Sequence, residues 1–207
     1  MKLVIITMFF VSIAFAKSSI YDLKSDGKQL GTLTVKTENL ENSRYKYTKH
    51  LKLSSTYMFF NDTYVYRENA LFDKDGLVEF TVEEIEDGKQ KMMSGKRVGD
   101  ELVFGNGKRI KLSQIDITPF EIDASSIEDY SDIKKFTLKT FDGLTGDLLD
   151  EFYQVLDSQK INGQICHILQ KRNSINDEVE TLTLTKSGEL LEVVGEEFKM
   201  ILRMKGK

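Results

Sequence analysis

Hydrophobic and polar residues alternate over short stretches of this chain, with a period of two. The clearest stretch is residues 45–53, YKYTKHLKL, where Tyr45, Leu51 and other large side chains occupy every second position. His50 falls on the opposite, charged face of this stretch. Because successive side chains of a strand point to opposite faces of a sheet, the pattern predicts β-strands.

Turn signals separate these stretches along the whole chain. The pairs that interrupt the apolar runs are Asp26-Gly27, Asp87-Gly88, Gly99-Asp100, Asn106-Gly107 and Asn162-Gly163. Such pairs favour tight hairpins, since Gly, Asn and Asp adopt the left-handed backbone conformation at low cost. We therefore predict an all-β fold with an antiparallel curved sheet, arranged as a β-roll, a half-barrel or a barrel-like structure.

Residues 57–80 read YMFFNDTYVYRENALFDKDGLVEF and predict three strands joined by two turns. Asn61-Asp62 is the expected first turn, because both residues suit a two-residue hairpin loop. The cross-strand pairs that follow are Tyr57 with Tyr66 and Phe59 with Tyr64. The expected second turn spans residues 73–76 and pairs Phe72 with Leu77.

Both faces of this three-stranded unit are apolar. The aromatic face is predicted to carry Tyr57, Phe59, Tyr64, Tyr66 and Phe72, together with Leu77. The other face is predicted to carry Leu71, Val78, Phe80 and Val82. A sheet with one solvent-exposed face would be apolar on the other face only. Either one face is core and the other lies under a helix or second layer, or the curled inner face lines a cavity for an apolar ligand.

The pattern breaks after Pro119. Ser125 or Ser126 can cap a helix, and Glu128 and Asp129 would follow in its first turn. We expect one short helix over residues 126–133, which would cover a sheet face or plug an open end.

Residues 1–16, MKLVIITMFFVSIAFA, have the pattern of a secretory signal peptide. A lysine precedes an apolar run, and Ala14-Phe15-Ala16 forms a small-x-small cleavage site. We expect residues 17–207 to form a single antiparallel β domain that is periplasmic or secreted. No transmembrane segment is expected after cleavage of the signal peptide.

Composition excludes several classes of function. The net charge is −4 and no basic patch with interleaved aromatic residues is present, so nucleic acid is not an expected partner. Cys166 is the single cysteine, which leaves no intramolecular disulfide.

Candidate catalytic and metal-binding residues are few. Cys166 and His167 are neighbours in a predicted strand, so they point to opposite faces and do not form a nucleophile–base pair. No Cys or His cluster has zinc spacing, and Asp73-x-Asp75-Gly76 lacks the spacing of a calcium loop. We expect no catalytic residue, metal or cofactor, although the acidic residues 83–87 and 196–197 leave a carboxylate pair open.

Motifs across the mature chain resemble exported bacterial proteins grouped as a domain of unknown function. They are Tyr21-x-Leu23, Asp26-Gly27, Leu30-Gly31, Tyr64-x-Tyr66, Phe72, Asp75-Gly76-Leu77, Phe141, Thr145-Gly146-Asp147, Ile161-Asn162-Gly163 and Ser187-Gly188-Glu189-Leu190. The resemblance implies an antiparallel β-roll or half-barrel of the cell envelope. Some distant relatives of that shape carry lipid or lipoprotein, and the resemblance brings no catalytic residues.

The sequence therefore favours an exported, non-enzymatic protein that binds an apolar ligand on a concave aromatic face. The ligand is expected to be a lipid, an acyl chain or a hydrophobic segment of an envelope protein. Tyr57, Phe59, Tyr64, Tyr66 and Phe72 are the candidate ligand-binding residues. Two alternatives stay open: a hydrolase with paired carboxylates, and a structural component of an envelope complex.

Overall fold

The structure is a computed structural model, and it describes residues 16–57, 60–116, 118–119, 135–174, 179–185, 189–196 and 198–203. Fourteen strands lie in these ranges. They are β1 (Ala16–Ser25), β2 (Lys28–Leu40), β3 (Arg44–Tyr57), β4 (Phe60–Asp73), β5 (Gly76–Glu86), β6 (Lys89–Val98), β7 (Glu101–Phe104), β8 (Arg109–Lys111), β9 (Lys135–Phe141), β10 (Leu148–Ile161), β11 (Gln164–Asn173), β12 (Val179–Thr185), β13 (Leu190–Val194) and β14 (Lys199–Leu202).

All fourteen strands belong to one antiparallel sheet. Its order is β8-β7-β6-β5-β4-β3-β2-β1-β14-β13-β12-β11-β10-β9. The chain therefore meanders from the centre of the sheet to one edge, continues at the opposite edge and returns to pair β14 with β1. The predicted all-β class with an antiparallel curved sheet is confirmed.

The curvature of the sheet brings its two edges together. Asp116, just after β8, donates its backbone N–H to the carbonyl of Lys139 in β9, at 2.9 Å. The Asp116 carboxylate accepts the Lys139 N–H at 2.9 Å. Nearby, Lys108 forms an ion pair with Asp147. We call this contact between the β8 side and the β9–β10 side the seam.

The predicted hairpin turns have the expected backbone geometry. Asp26 and Asp87 have φ values of 49°, Asn162 has a φ of 51°, and each precedes a glycine that also has a positive φ. The predicted pairing of Phe72 with Leu77 is confirmed, but Asp73 also pairs with Gly76, so the loop between β4 and β5 is residues 74–75 rather than the predicted 73–76. These turns were predictable because the conformational preference of one or two residues decides them.

The first turn in 57–80 was predicted wrongly. Tyr57 pairs with Phe60 rather than with Tyr66, so the connection between β3 and β4 is residues 58–59 and not Asn61-Asp62. The observed register sets Leu51 opposite Tyr66 and Leu53 opposite Tyr64. The long pairing of two 14-residue strands outweighed the preference of Asn61-Asp62 for a turn.

A β-bulge corrects the predicted faces of β5. Leu71 pairs with Glu79 while Phe72 pairs with Leu77, so Val78 is an extra residue. Leu77 and Phe80 consequently lie on the same face, in one core cluster with Phe72. The prediction that Phe72 and Leu77 lie opposite Phe80 and Val82 is wrong, because strict alternation does not hold across a bulge.

The two core clusters lie on one side of the sheet, which we call the inner face; the opposite side is the outer face. The first core cluster joins β1, β2 and β9–β14: Tyr21, Leu23, Leu33, Leu138, Tyr153, Leu169, Leu182, Leu184, Leu190, Val193 and Met200. The second joins β3, β4, β5, β7, β8 and β9: Tyr47, Ala70, Phe72, Leu77, Phe80, Val82, Leu102, Phe104, Ile110 and Phe141. Val35 packs against both clusters and connects them.

The predicted helix over residues 126–133 lies outside the described residues. In the described part of the chain, a 3-10 turn spans Leu112–Gln114. The loop between β9 and β10 lies against the second core cluster, where Leu144 packs. Gly143 and Gly146 permit this close approach, since a Cβ on either glycine would lie 2.9 Å from Val82 and 3.0 Å from Phe104, respectively.

Candidate functional site

Tyr64 and Tyr66 lie two residues apart on the inner face of β4, and both are half-buried. Their cross-strand neighbours on β3 are Leu53 and Leu51, which are also half-buried. These four side chains form a partly exposed apolar strip, which we call the tyrosine strip. The sequence prediction that Tyr64 and Tyr66 share a face is confirmed.

A buried carboxylate adjoins the tyrosine strip. Glu68 is 4% exposed, and the Tyr66 hydroxyl donates to its Oε1 at 2.8 Å. Lys49, directly across on β3, places its Nζ 3.9 Å from Glu68 Oε2. Burying a charge is costly unless it is paired and hydrogen-bonded, so Tyr66 and Lys49 together hold Glu68 in the interior.

The second tyrosine of the strip contacts a more accessible carboxylate. The Tyr64 hydroxyl lies 3.5 Å from Glu84 Oε2, and Lys91 pairs with the other Glu84 oxygen at 2.7 Å. Burial and the negative charge of Glu84 raise the pKa of Tyr64 to about 12. Burial and Glu68 raise the pKa of Tyr66 well above its usual value of 10.0. Both hydroxyls are therefore neutral donors at physiological pH.

The other predicted ligand-binding residues do not all join this strip. Phe72 is fully buried and stacks on Tyr45, with ring centroids 4.6 Å apart, so it belongs to the core. Tyr57 ends β3, beyond the strip, and is paired with Phe60. Phe59 lies outside the described residues.

A similar network stands in the other half of the sheet. Tyr153 donates its hydroxyl to Glu151 at 2.7 Å, and Lys171 pairs with Glu151 at 3.0 Å. Glu180 lies 3.7 Å from the same lysine. Each half of the inner face thus contains a tyrosine, a buried glutamate two residues away and a lysine from the adjacent strand.

The loop between β9 and β10 lies near the tyrosine strip. Asp142 accepts the backbone N–H groups of Leu144 and Thr145 at 2.8 and 2.7 Å, which makes the loop compact. The Asp142 charge also contributes to the raised pKa of Tyr66.

The candidate nucleophile and bases do not converge. Cys166 is completely buried, which agrees with a core cysteine, and His167 contacts Ser158 at 3.0 Å. Glu83 pairs with Arg67 whereas Glu84 pairs with Lys91, so these two neighbouring carboxylates lie on opposite faces of β5. In the part of the chain that the structure describes, no group of His, Cys, Asp and Glu has metal-binding geometry.

A separate cavity of about 670 Å³ lies across the outer face of β3–β7. Its walls include Lys46, Asn69, Glu79, Ser94 and Lys96. The lining is mixed: these polar side chains alternate with apolar surface from Leu71, Val103 and the strands beneath them.

Sequence reasoning missed Lys49, Glu68 and Asp142. Glu68 is two residues after Tyr66 in the same strand, so the sequence predicts that it shares a face with Tyr64 and Tyr66. Its pairing with Lys49 was not, because that contact depends on the β3–β4 register. The outer cavity carried no sequence signal, since polar positions on a strand ordinarily face water.

The fold defines an antiparallel β-barrel-like protein in which the described edge strands β8 and β9 meet at the seam instead of pairing as a ladder. The chain belongs to the family described as a domain of unknown function, DUF6134, whose model matches residues 21–194. The resemblance found in the sequence motifs is thereby confirmed.

One solved structure supports the β-barrel-like fold. A β-barrel-like protein of the domain of unknown function DUF1849 from Brucella abortus aligns with a TM-score of 0.66 at 12% identity, covering 91% of this chain and 95% of its own. A DUF1089 family protein from Pseudomonas aeruginosa aligns with a TM-score of 0.43 at 11% identity, covering 92% and 95%. No curated protein matches the sequence. Within the described residues, no helix is long and apolar enough to cross a membrane.

Proposed function

We propose that this protein is an exported, non-enzymatic β-barrel-like protein that binds an apolar ligand, a lipid or acyl chain, at the tyrosine strip. This proposal rests on four half-buried side chains that are neighbours on two paired strands, namely Leu51, Leu53, Tyr64 and Tyr66. They lie at the margin of both core clusters, because Leu51 and Leu53 pack against the first and Tyr66 packs against the second. An apolar ligand laid on the strip would remove this surface from water, which is favourable at roughly 25 cal/mol per Å².

The polar groups around the strip suit a ligand with one polar end. Lys49 and Lys91 flank the two tyrosines, and each is held by a glutamate. Tyrosine combines a large apolar ring with a hydroxyl that hydrogen-bonds, which is the composition expected at the mouth of an apolar site.

A binding role accounts for the carboxylates better than hydrolysis does. Glu68 and Glu151 are each engaged by a tyrosine hydroxyl and a lysine, so both charges are used to hold the interior together. Glu83 and Glu84 diverge to opposite faces. A carboxylate pair for hydrolysis would need two groups that converge on one cleft.

Export is the second part of the proposal. Residues 1–16 have the charge, apolar run and small-residue cleavage site of a signal peptide, which would leave Lys17 as the mature N-terminus. A periplasmic or secreted location brings the protein close to lipids, its proposed ligands, and to envelope proteins.

Native mass spectrometry of protein isolated from the envelope of its own host tests both parts. We expect a polypeptide that starts at Lys17 and carries a co-purifying lipid mass. Retention of residues 1–16 would contradict export. A homogeneous unliganded mass under conditions that preserve lipid complexes would contradict ligand binding.

Two substitutions in β4 locate the site. Tyr64→Ala removes a ring from the tyrosine strip, whereas Val65→Ala shortens the adjacent side chain on the outer face. We expect Tyr64→Ala to weaken the binding of a fluorescent fatty acid about tenfold, since one large apolar contact contributes 1–3 kcal/mol, roughly. Equal effects of the two variants would place the ligand elsewhere.

A further inference from the structure

The outer cavity crosses the middle of the sheet as a trough. Five strands, β3 to β7, contribute to its lining. Because adjacent strands in a sheet are about 4.8 Å apart, four such spacings make the trough about 19 Å long. Its volume is about 670 Å³, which is in the range of small-molecule sites.

Two cross-strand rows form the walls of the trough. One wall follows the pairing of Asn69 with Thr81 and of Thr81 with Ser94. It presents an amide and two hydroxyls side by side. All three residues are exposed, so their donors and acceptors face the solvent-filled trough.

The other wall carries three charged side chains and one leucine. Register places Lys46 opposite Leu71, Leu71 opposite Glu79 and Glu79 opposite Lys96. Among the described residues neither lysine is part of an ion pair: Glu38 next to Lys46 is engaged by Lys36. Two cations and one carboxylate give the trough a net positive charge on a chain whose overall charge is −4.

We propose that this trough binds an acidic oligosaccharide in an extended conformation across the strands. A row of amide, hydroxyl, ammonium and carboxylate groups offers hydrogen bonds to the many hydroxyls of a sugar chain. Lys46 and Lys96 bind its carboxylates in charge-assisted hydrogen bonds, which are stronger than neutral ones. Leu71 and Val103 provide apolar contact for the faces of the sugar rings.

The position of the trough disfavours an extended peptide. Peptides commonly bind a sheet by adding a strand at an edge, where backbone donors and acceptors are available. Here β4, β5 and β6 are interior strands with partners on both sides, and the trough runs across them. Recognition therefore relies on side chains alone, which suits a polyhydroxylated ligand.

Isothermal titration of the full mature chain tests the site with three probes. They are an oligosaccharide of galacturonic acid, the same oligosaccharide with its carboxylates methyl-esterified, and an oligo-glutamate peptide of equal charge. We expect binding of the acidic sugar, at least about tenfold weaker binding of the ester, and binding that weakens as salt screens the charges. Failure of the acidic sugar to bind, or tighter binding of the peptide, would overturn the proposal.

Paired lysine substitutions assign the binding to the trough. Lys46→Gln with Lys96→Gln should weaken binding of the acidic sugar about tenfold or more. The matched control replaces Lys28 and Lys52, two exposed lysines outside the trough. All four positions are exposed, so folding is preserved and is verified by circular dichroism. An equal loss in both double variants would show general charge attraction and would overturn the assignment.

A third variant, Tyr64→Ala, distinguishes binding in the trough from binding at the tyrosine strip. Tyr64 lies on the inner face, so Tyr64→Ala should leave the affinity for the acidic sugar unchanged. Loss of sugar binding in Tyr64→Ala would contradict a site on the outer face.

Discussion

Two buried glutamates organise the polar part of the inner face. Glu68 and Glu151 are 4% and 6% exposed, and each accepts a hydrogen bond from a tyrosine two residues away on its own strand. Because residues i and i+2 share a face, each tyrosine hydroxyl lies beside its glutamate. The remaining charge is balanced by a lysine from a neighbouring strand, so both pairs couple local sequence to strand pairing.

Tyr66→Phe should destabilise the protein at neutral pH. The substitution removes the donor to Glu68 Oε1 while leaving the carboxylate buried, which costs about 1–3 kcal/mol in the free energy of unfolding. Tyr64→Phe is the matched control, because its partner Glu84 is more accessible and the contact is 3.5 Å long. Urea denaturation measures both variants, and equal losses would contradict the role given to Glu68.

As the pH rises above about 10, the free energy of unfolding should fall less in the Tyr66→Phe variant than in the wild type. The folded-state pKa of Tyr66 is raised above the unfolded value of 10.0, so its stabilising effect is present below pH 10 and decreases as the pH rises. The wild type therefore loses up to about 1.4 kcal/mol per pH unit through this group, and the variant does not. If the difference in the free energy of unfolding between the wild type and the variant stays constant with pH, this prediction is wrong.

At the scale of elements, a bulge and a glycine shape the packing of β5 and β6. The extra residue Val78 turns Leu77 and Phe80 to one face. Phe80 then packs over Gly95, its partner on β6, and onto Phe104 at a centroid distance of 5.6 Å. A side chain at position 95 would occupy the space of the Phe80 ring.

Gly95→Ala should therefore destabilise the fold through overpacking. A Cβ at this position would clash with the Phe80 ring, and overpacking of this kind costs about 1–3 kcal/mol. Gly105→Ala is the matched control, because its Cβ would meet the flexible Ser94 side chain at 3.2 Å and the position is exposed. Thermal unfolding of the two variants gives the comparison.

Phe80→Leu in the Gly95→Ala background should recover part of the loss. The smaller side chain leaves room for the new methyl group, so the two substitutions should couple favourably rather than add. Strict additivity would mean that the clash is relieved elsewhere.

At the scale of the whole molecule, the seam decides whether the sheet behaves as a closed barrel. Asp116 and Lys139 join the edges by two hydrogen bonds of 2.9 Å. The Lys108–Asp147 contact is a surface ion pair, and such a pair contributes 0–1 kcal/mol, roughly. The two hydrogen bonds between Asp116 and Lys139 should therefore stabilise the seam more than the ion pair does.

Asp116→Ala should open the seam locally. We expect faster amide hydrogen exchange in β9, centred on Lys139, whose N–H loses its acceptor. Lys108→Gln is the control and should change exchange in β9 little. Unchanged protection of the Lys139 amide in Asp116→Ala would show that the edges are held by other contacts.

Much of the fold followed from local sequence, whereas the candidate sites followed from it only partly. The sequence led to the pairing of Phe72 with Leu77 and to the shared face of Tyr64 and Tyr66, since both depend on a turn or on alternation within one strand. It did not lead to the core position of Phe72, which rests on stacking with Tyr45 from another strand.

The sequence by itself determined the all-β class, the hairpin turns and the family of this protein. Those properties depend on residues that are close along the chain, such as Asp26 and Gly27 in their turn. Only the tertiary structure decided the β3–β4 register, the pairing of Lys49 with Glu68, the seam and the trough. The physical reason is that each depends on which strands become neighbours, and the packing of the whole sheet selects that arrangement over the preference of any single turn.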